Sequence, residues 1–431
     1  MLKPSAGTPI RTISGIKGQG AAPVTTSRPS RPLRIVLFSP AWPHGGWPNG
    51  IVTYSRTMVP ALRAAGAEVI VLSASIDPGG EGPDVRALEP KREGVVGRIL
   101  ARFEPEGAAS RRVADSIAAA LKELDSAHRV DAFEMEESFG WCGLVAERTR
   151  VPVIARLHGP WFLNGAMVAD ATAPAFQRRV RREGAALLRV AGITAPSRDV
   201  LARTRAHYGV ALAHAAVIPN PIESVAAETQ WVGHACDPDS ILFVGRFDRH
   251  KGGDVVIEAM SHVRAQLPNA RLIFAGPDVG LTDDAGRHWT LREYIEAKLE
   301  QPSDRAAVCV LGSQTREQIL ELRMRAAVTV VSSRWENFAY SLSEALVMGC
   351  PTVASNAGGL AEVIDHEKTG LLVQPGDPED LARGIIRLLR DRALAERLGK
   401  AAADAVAARL APPQIAAETL AYYDQIAAQR R

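Results

Sequence analysis

Apolar runs of strand length alternate with amphipathic runs of helix length along this chain, and the alternation restarts after the polar stretch Glu223–Ser240. In the first half, strands are expected at Arg34–Ser39, Val69–Ser73, Ala132–Glu134, Val153–Leu157, Gly192–Ala195 and Ala216–Ile218, with helices at Ile51–Ala65 and Ser110–Leu124. In the second half, strands fit Ile241–Val244, Arg271–Ala275, Val308–Leu311, Val328–Val331 and Thr352–Ala354. Helices there fit Asp254–Gln266, Arg316–Ala326, Ser341–Met348 and Glu379–Arg390, and Pro413–Ala428 reads as a last amphipathic helix. Strand-then-helix order repeated this way implies parallel sheets covered on both faces. At 431 residues the chain exceeds one core, so two doubly wound α/β domains are expected, with Pro219 and Pro221 marking the crossing between them. The expected division is a disordered tail over 1–32, domains over 33–222 and 223–412, and the last helix over 413–431.

Composition excludes several classes. Hydrophobic residues are 46% and charged residues 23%, ordinary values for a globular body. No apolar run approaches the ~20 residues that cross a bilayer. The first 32 residues carry Lys3, Arg11, Lys17, Arg28 and Arg31 without an acid among Ser, Thr, Pro, Gly and Ala, a composition that fits a disordered tail more readily than an organellar transit peptide and lacks the apolar core of a secretory signal. Cys142, Cys236, Cys309 and Cys350 are far apart and without metal-ligand spacing, so they read as small core residues in a reducing, cytoplasmic compartment. Through Asn220 there are 28 Lys/Arg against 19 Asp/Glu, net +9, and the remainder is net −6. The tail supplies +5 of that excess, so the first domain is too mildly basic to argue for nucleic acid. One basic stretch at helical spacing, Gln177–Arg189, could rest on an anionic membrane surface, although a solvated helix face is the commoner meaning.

The chemistry concentrates in the second half. Glu336 and Glu344 flank the start of the helix expected at Tyr340–Met348, just after a buried strand. Strand, short loop and helix N-terminus in that order build an anion site from unpaired N–H groups. Eight residues of helical rise would separate the carboxylates by roughly 12 Å, beyond the roughly 5–9.5 Å of a glycosidase pair. The spacing suits two carboxylates gripping opposite ends of one long ligand with phosphate between them, as in a nucleotide sugar. Ile241–Lys251 (ILFVGRFDRHK) ends a strand at Gly245 and then supplies Arg246 and Lys251, a forked and a mobile phosphate donor. Gly358–Gly359 with Glu362 gives another close backbone approach beside the same place.

On these residues, with Ile218-Pro219-Asn220-Pro221 and Thr369-Gly370-Leu371-Leu372-Val373, the chain from about Pro32 onward resembles the retaining glycosyltransferases of family 4. The resemblance implies the GT-B fold, two Rossmann-like domains facing across a cleft, with a terminal helix returning to the first. It implies transfer of sugar from a nucleotide diphosphate sugar, UDP first and GDP next, to a hydroxyl acceptor in glycan, polysaccharide or glycolipid synthesis. Arg246 and Lys251 would meet the departing diphosphate, with the helix start at Ser341 and Leu342. Glu344 would take the ribose, and Glu336 the sugar hydroxyls, with backbone donors from Asn337 and Phe338. Gly245 and Gly312 would line the nucleotide, the base being read by main-chain groups. No cofactor and no metal are expected. The donor domain would be the second, and a glycan or lipid-linked acceptor would lie on the first, with peripheral membrane contact there.

In the first half, Pro43–Gly50 is a glycine-rich strand-to-helix turn without the GxGxxG spacing of a dinucleotide site. By resemblance Asn49-Gly50 stands where the family has two glycines, which leaves Gly50 as the donor-side residue. His158 ends a strand ahead of Gly159; alone it would read as a packing histidine, and the family's His-Gly pair places it near the transferred sugar, a role for which His44 competes. Arg246 and Lys251 could otherwise pair with Asp248 and Asp254 as surface charges. Asp131, Glu134, Glu136 and Glu137 form an acidic cluster that fits a loop edge facing water or a weak metal site. The rival readings are a nucleotide-sugar epimerase or phosphorylase on the same fold, and a non-catalytic nucleotide-sugar-binding protein.

Overall fold

The computed structural model describes residues 31–43, 49–90, 105–167 and 169–429. In chain order the first sheet is made of β1 (Arg34–Ser39), β2 (Glu68–Ser73), β3 (Val85–Ala87), β4 (Ala132–Glu136), β5 (Val153–Arg156), β6 (Gly192–Ala195) and β7 (Ala215–Val217). They lie in the order β3-β2-β1-β4-β5-β6-β7, every pair parallel. β8 (Asp237–Val244) and β9 (Arg271–Ala275) begin the second sheet, and β10 (Leu281–Thr282) pairs antiparallel with β11 (His288–Trp289) in a small hairpin. β12 (Val308–Gly312), β13 (Ala326–Val331), β14 (Thr352–Ser355) and β15 (Leu371–Val373) complete it, in the parallel order β12-β9-β8-β13-β14-β15. Two parallel, doubly wound sheets are what the alternating pattern predicts. The order reverses between β1 and β4 in one sheet and between β8 and β13 in the other, and ligands collect at the carboxyl ends of strands at such points.

The central strands are buried on both faces, which is why β13 (AAVTVV) shows no polar alternation. Helix Gly50–Ala64 packs Tyr54, Met58 and Leu62 against Ile35 and Leu37 of β1. The terminal helix Pro412–Ala428 joins that same cluster through Ile415, Tyr423 and Ile426, so the chain's last helix covers the first sheet. Tyr422 Oη accepts from Ile193 N at 2.8 Å, and Tyr423 donates to Glu134.

Several expectations are corrected. β4 runs on to Glu136, because the acidic cluster does not face water. Asp131, Glu134, Glu136 and Glu137 are all buried, and Asp131 holds Arg31 at 2.7 Å and the Arg34 N–H at 2.9 Å. Among the described residues no group of His, Cys, Asp and Glu could hold a metal ion. Cys142 and Cys350 are buried, but Cys309 is exposed on the edge strand β12. β3 and β15, three residues each, and helices Arg198–Tyr208 and Arg392–Arg409 had no assignment from sequence. The tail 1–30 and His44 lie outside the described residues. No described helix is long and apolar enough to cross a membrane.

Candidate active site

β8 and β13 are neighbours, so the loops leaving their carboxyl ends meet. Gly252 makes this possible: it is left-handed (φ +69°), and a Cβ there would lie 2.0 Å from the Ser332 carbonyl oxygen. Ser332 Oγ also donates to the Gly252 carbonyl at 2.7 Å. Lys251 Nζ therefore reaches Glu336 Oε1 at 2.6 Å, and Ser333 Oγ donates to the same oxygen at 2.9 Å. Burial opposes ionisation of Glu336, but the Lys251 ammonium, His250 and the Ser333 hydroxyl outweigh it and hold the carboxyl below its ordinary range. Arg246 lies 2.8 Å from Asp248 Oδ2, and Asp248 Oδ1 accepts the Lys251 N–H at 2.7 Å. Arg246 thus has the Asp248 partner expected of a surface charge, whereas Lys251 does not use Asp254, which a bidentate Arg334 occupies.

Glu336 and Glu344 are not joined by continuous helix. The helix is Tyr340–Val347, so Glu336 sits in the loop before it and the rise argument applies only to the second half of the span. No side chain caps this helix: Ala339 is its N-cap residue. The N–H groups of the Ser341 and Leu342 turn are therefore open to an anion. Glu344 is one-third exposed and lies 2.9 Å from Nη1 of the fully buried Arg323. The Gly358–Gly359 pair fits beneath the site's loop, since Cβ atoms there would lie 2.3 Å from the Glu336 carbonyl and 2.1 Å from that of Asn337. Gly359 N donates to Glu336 O at 2.8 Å. Gly245 extends β8 through its bond to Ala275 O, and Gly312 closes β12 in a left-handed conformation (φ +69°) with open space where a Cβ would stand.

The first sheet contributes its own strand ends. His158 follows β5, with its N–H and that of Gly159 on the two oxygens of Glu137 at 2.9 and 2.7 Å. Its ring meets Tyr54 edge-on at 5.1 Å. Burial and the Arg156 guanidinium push the imidazole well below its usual range, so it is neutral at pH 7. Asn337 donates its side-chain amide to the His158 carbonyl, so Asn337 bridges the two halves with its side chain. Gly50 opens the helix that Asn49 caps through Ile51 N at 2.8 Å, and the Tyr340 ring lies 3.9 Å from where a Gly50 Cβ would stand. The two helix starts therefore face each other across the cleft. Phe338 is buried, its side chain packed with Leu342 and Leu360.

Sequence reasoning missed the contacts that hold the halves together. Trp335 Nε1 donates to Asp199 Oδ2 at 2.9 Å, and Glu362 accepts the N–H groups of Arg198 and Asp199 at 3.0 and 2.8 Å. Glu362 thus reaches the opposite half. A second missed group lies behind His158. Arg156, fully buried, stacks on Tyr54 at 4.0 Å and donates to Asn220 Oδ1 at 2.6 Å, while Glu134 takes Tyr423. The sequence signal was an arginine inside the apolar run VPVIARL, which demands internal partners.

Comparison with known proteins bears on the family and the fold. The family described as "Glycosyl transferases group 1" matches residues 228–405, and "Glycosyltransferase Family 4" matches residues 48–224. A D-inositol 3-phosphate glycosyltransferase of Xylanimonas cellulosilytica is 30% identical over 304 residues, 68% of this chain and 70% of that protein. For other curated glycosyltransferases the match is partial: this chain spans 46% of the length of one and 63% of another. Among solved structures, sucrose-phosphate synthase from Thermosynechococcus elongatus superposes with TM-score 0.69 at 23% identity, over 92% of this chain and all of that one. Anabaena HepE in complex with UDP and glucose superposes with TM-score 0.64 at 17% identity, over 90% and 99%. The chain belongs to the group 1, family 4 glycosyltransferases and has their GT-B fold.

Proposed function

We propose that this glycosyltransferase is a retaining, metal-independent enzyme that moves a sugar from a nucleotide diphosphate sugar to a hydroxyl acceptor. The observation that carries the reading is the convergence of Arg246, Lys251, Glu336 and an uncapped helix start at the carboxyl ends of β8 and β13. Arg246, Lys251 and the helix N-terminus would neutralise the charge that grows on the diphosphate as the anomeric carbon–oxygen bond breaks. Glu336 would accept hydrogen bonds from the sugar hydroxyls, and Glu344 from the ribose. Gly245 and Gly312 border the nucleotide, and neutral His158 would pair with a sugar hydroxyl without adding charge. No carboxylate is assigned as a covalent nucleophile. The acceptor oxygen bonds to the anomeric carbon on the face the phosphate leaves, and its proton passes to the departing phosphate oxygen, which preserves the anomeric configuration.

UDP is the first choice of base and GDP the second; HepE, a neighbour in fold, carries UDP with glucose. The acceptor, on the first domain, belongs to glycan, polysaccharide or glycolipid synthesis in the cytoplasm. The relative from Xylanimonas is named for D-inositol 3-phosphate, which supports an acceptor that bears phosphate. A thermal-shift panel of UDP, GDP and ADP, each followed by its sugars, tests the donor. The matching nucleotide at a hundred times its dissociation constant stabilises the fold by about 2.7 kcal/mol; no response to any of the three would refute a uridine, guanosine or adenosine diphosphate donor. Product configuration by NMR tests retention, and full turnover in EDTA tests metal independence.

A further inference from the structure

One buried cation stands behind the donor side of the cleft. Arg323, in the last turn of helix Arg316–Arg325, is 1% exposed. Its Nη1 lies 2.9 Å from Glu344 Oε2, and its Nη2 donates to the Ser341 carbonyl at 3.1 Å. Its Nε is buried without a partner. Among the described residues, Glu344 is the only carboxylate within ion-pair distance of it. A guanidinium taken wholly out of water is costly, and an apolar side chain of similar volume would fill the space at least as favourably. The arrangement has a specific product instead. Glu344, partly exposed on a short helix, has one oxygen held by Nη1 of a planar guanidinium whose Nη2 holds the same helix. The Ser341 contact ties down the first turn of the same helix, so one side chain fixes both the carboxylate and the uncapped helix start.

We propose that Arg323 is a positioning residue for the donor: it orients Glu344 onto the ribose hydroxyls and so makes the site selective for ribonucleotides over nucleotides lacking those hydroxyls. The proposal rests on the assignment of Glu344 to the ribose. Calorimetry with UDP and 2′,3′-dideoxy-UDP, or the corresponding GDP or ADP pair if the thermal-shift panel selects that base, separates the two. The wild-type protein is expected to prefer the ribonucleotide by about 10–100-fold, the range of charge-assisted hydrogen bonds. Arg323→Met and Glu344→Gln each lose most of that preference while keeping affinity for the dideoxy form, and Arg323→Met adds nothing on top of Glu344→Gln. Arg323→Lys, with the charge but not the fork, keeps an intermediate preference. A merely structural arginine would weaken both nucleotides alike. If Arg323→Met retains the wild-type preference while Glu344→Gln loses it, Arg323 has no such role and the ribose assignment stands. If the wild type shows no preference, the ribose assignment itself is wrong. Should Arg323→Met fail to fold, Arg323→Lys and the charge-free double variant decide the matter, and a full wild-type preference in either overturns the proposal.

Discussion

Lys251 and Glu336 lie 2.6 Å apart at the ends of two adjacent strands, so each fixes where the other can act. If Arg246 and Lys251 meet the diphosphate as proposed, Arg246→Ala or Lys251→Ala should lower turnover by about 10²–10³ and donor affinity much less, because the charge on that group grows as the glycosidic bond breaks. Unchanged turnover in both variants with the fold intact would remove them from the proposed diphosphate site. A different residue controls pH behaviour. Glu136 is buried with one oxygen unpartnered, and desolvation, with Glu134 nearby, raises its carboxyl to about 7. An unfolded glutamate titrates near ~4.3, so between these values the folded state holds the extra proton. Its stabilising contribution is complete below the unfolded value and is lost as pH rises through about 7. Glu136→Gln should therefore raise the melting temperature by a few degrees at pH 8 and leave it unchanged near pH 4; equal shifts at both would contradict the burial argument. At this scale the sequence revealed the residue types at strand ends, since Gly, Arg, Lys and Glu there have few purely structural uses. It could not reveal Arg323 or Trp335, nor that Glu362 reaches the opposite half, because their meaning depends on which distant group each one meets.

Among the elements, helix Pro174–Leu187 shows how a charge run changes meaning once partners are placed. Within the stretch Gln177–Arg189, Arg179 pairs with Glu183 at 2.9 Å, Arg182 with Glu106 at 2.9 Å and Arg189 with Glu147 at 2.7 Å. Each surface cation adds about 1 kcal/mol near an anionic leaflet, less as salt rises, and three of these five arginines are already matched by carboxylates. Sedimentation with vesicles rich in phosphatidylserine at low salt should accordingly show weak binding that Arg178→Glu with Arg181→Glu abolishes. Tight, salt-resistant binding would indicate another surface. Long buried strands and amphipathic helices were legible because burial on both faces leaves an unbroken apolar run, as in β1 and β13. The edge strand β3 (VRA) carries no such run, and that of β15 (LLV) is only three residues long. β4 was cut short because Glu136 and Glu137 read as a loop edge facing water, whereas Glu136 is buried within the strand and Glu137, just beyond it, accepts the N–H groups of His158 and Gly159.

For the whole molecule, the two halves are held in contact by Trp335 on Asp199, Glu362 on the start of helix Arg198–Tyr208, and Asn337 on His158. Trp335 and Asn337 flank Glu336 in one loop and Glu362 lies on the short helix Leu360–Val363 beside it, so on the proposed reading closure and donor binding share residues. Glu362→Ala, with Trp335→Phe as a second variant, should open the cleft, raising the radius of gyration in small-angle scattering. Transfer should fall about tenfold while nucleotide affinity holds, since charge-assisted hydrogen bonds lost at closure are worth roughly 1.5–3 kcal/mol. Scattering and transfer both unchanged would show that these contacts do not govern closure. The terminal helix has a consequence of another kind. Ile415, Tyr423 and Ile426 complete the core around β1, yet they are synthesised after the second sheet. On the ribosome the first half must therefore wait with an apolar face uncovered until the whole second half has emerged, and it is in that interval that the nascent chain most needs a chaperone's protection.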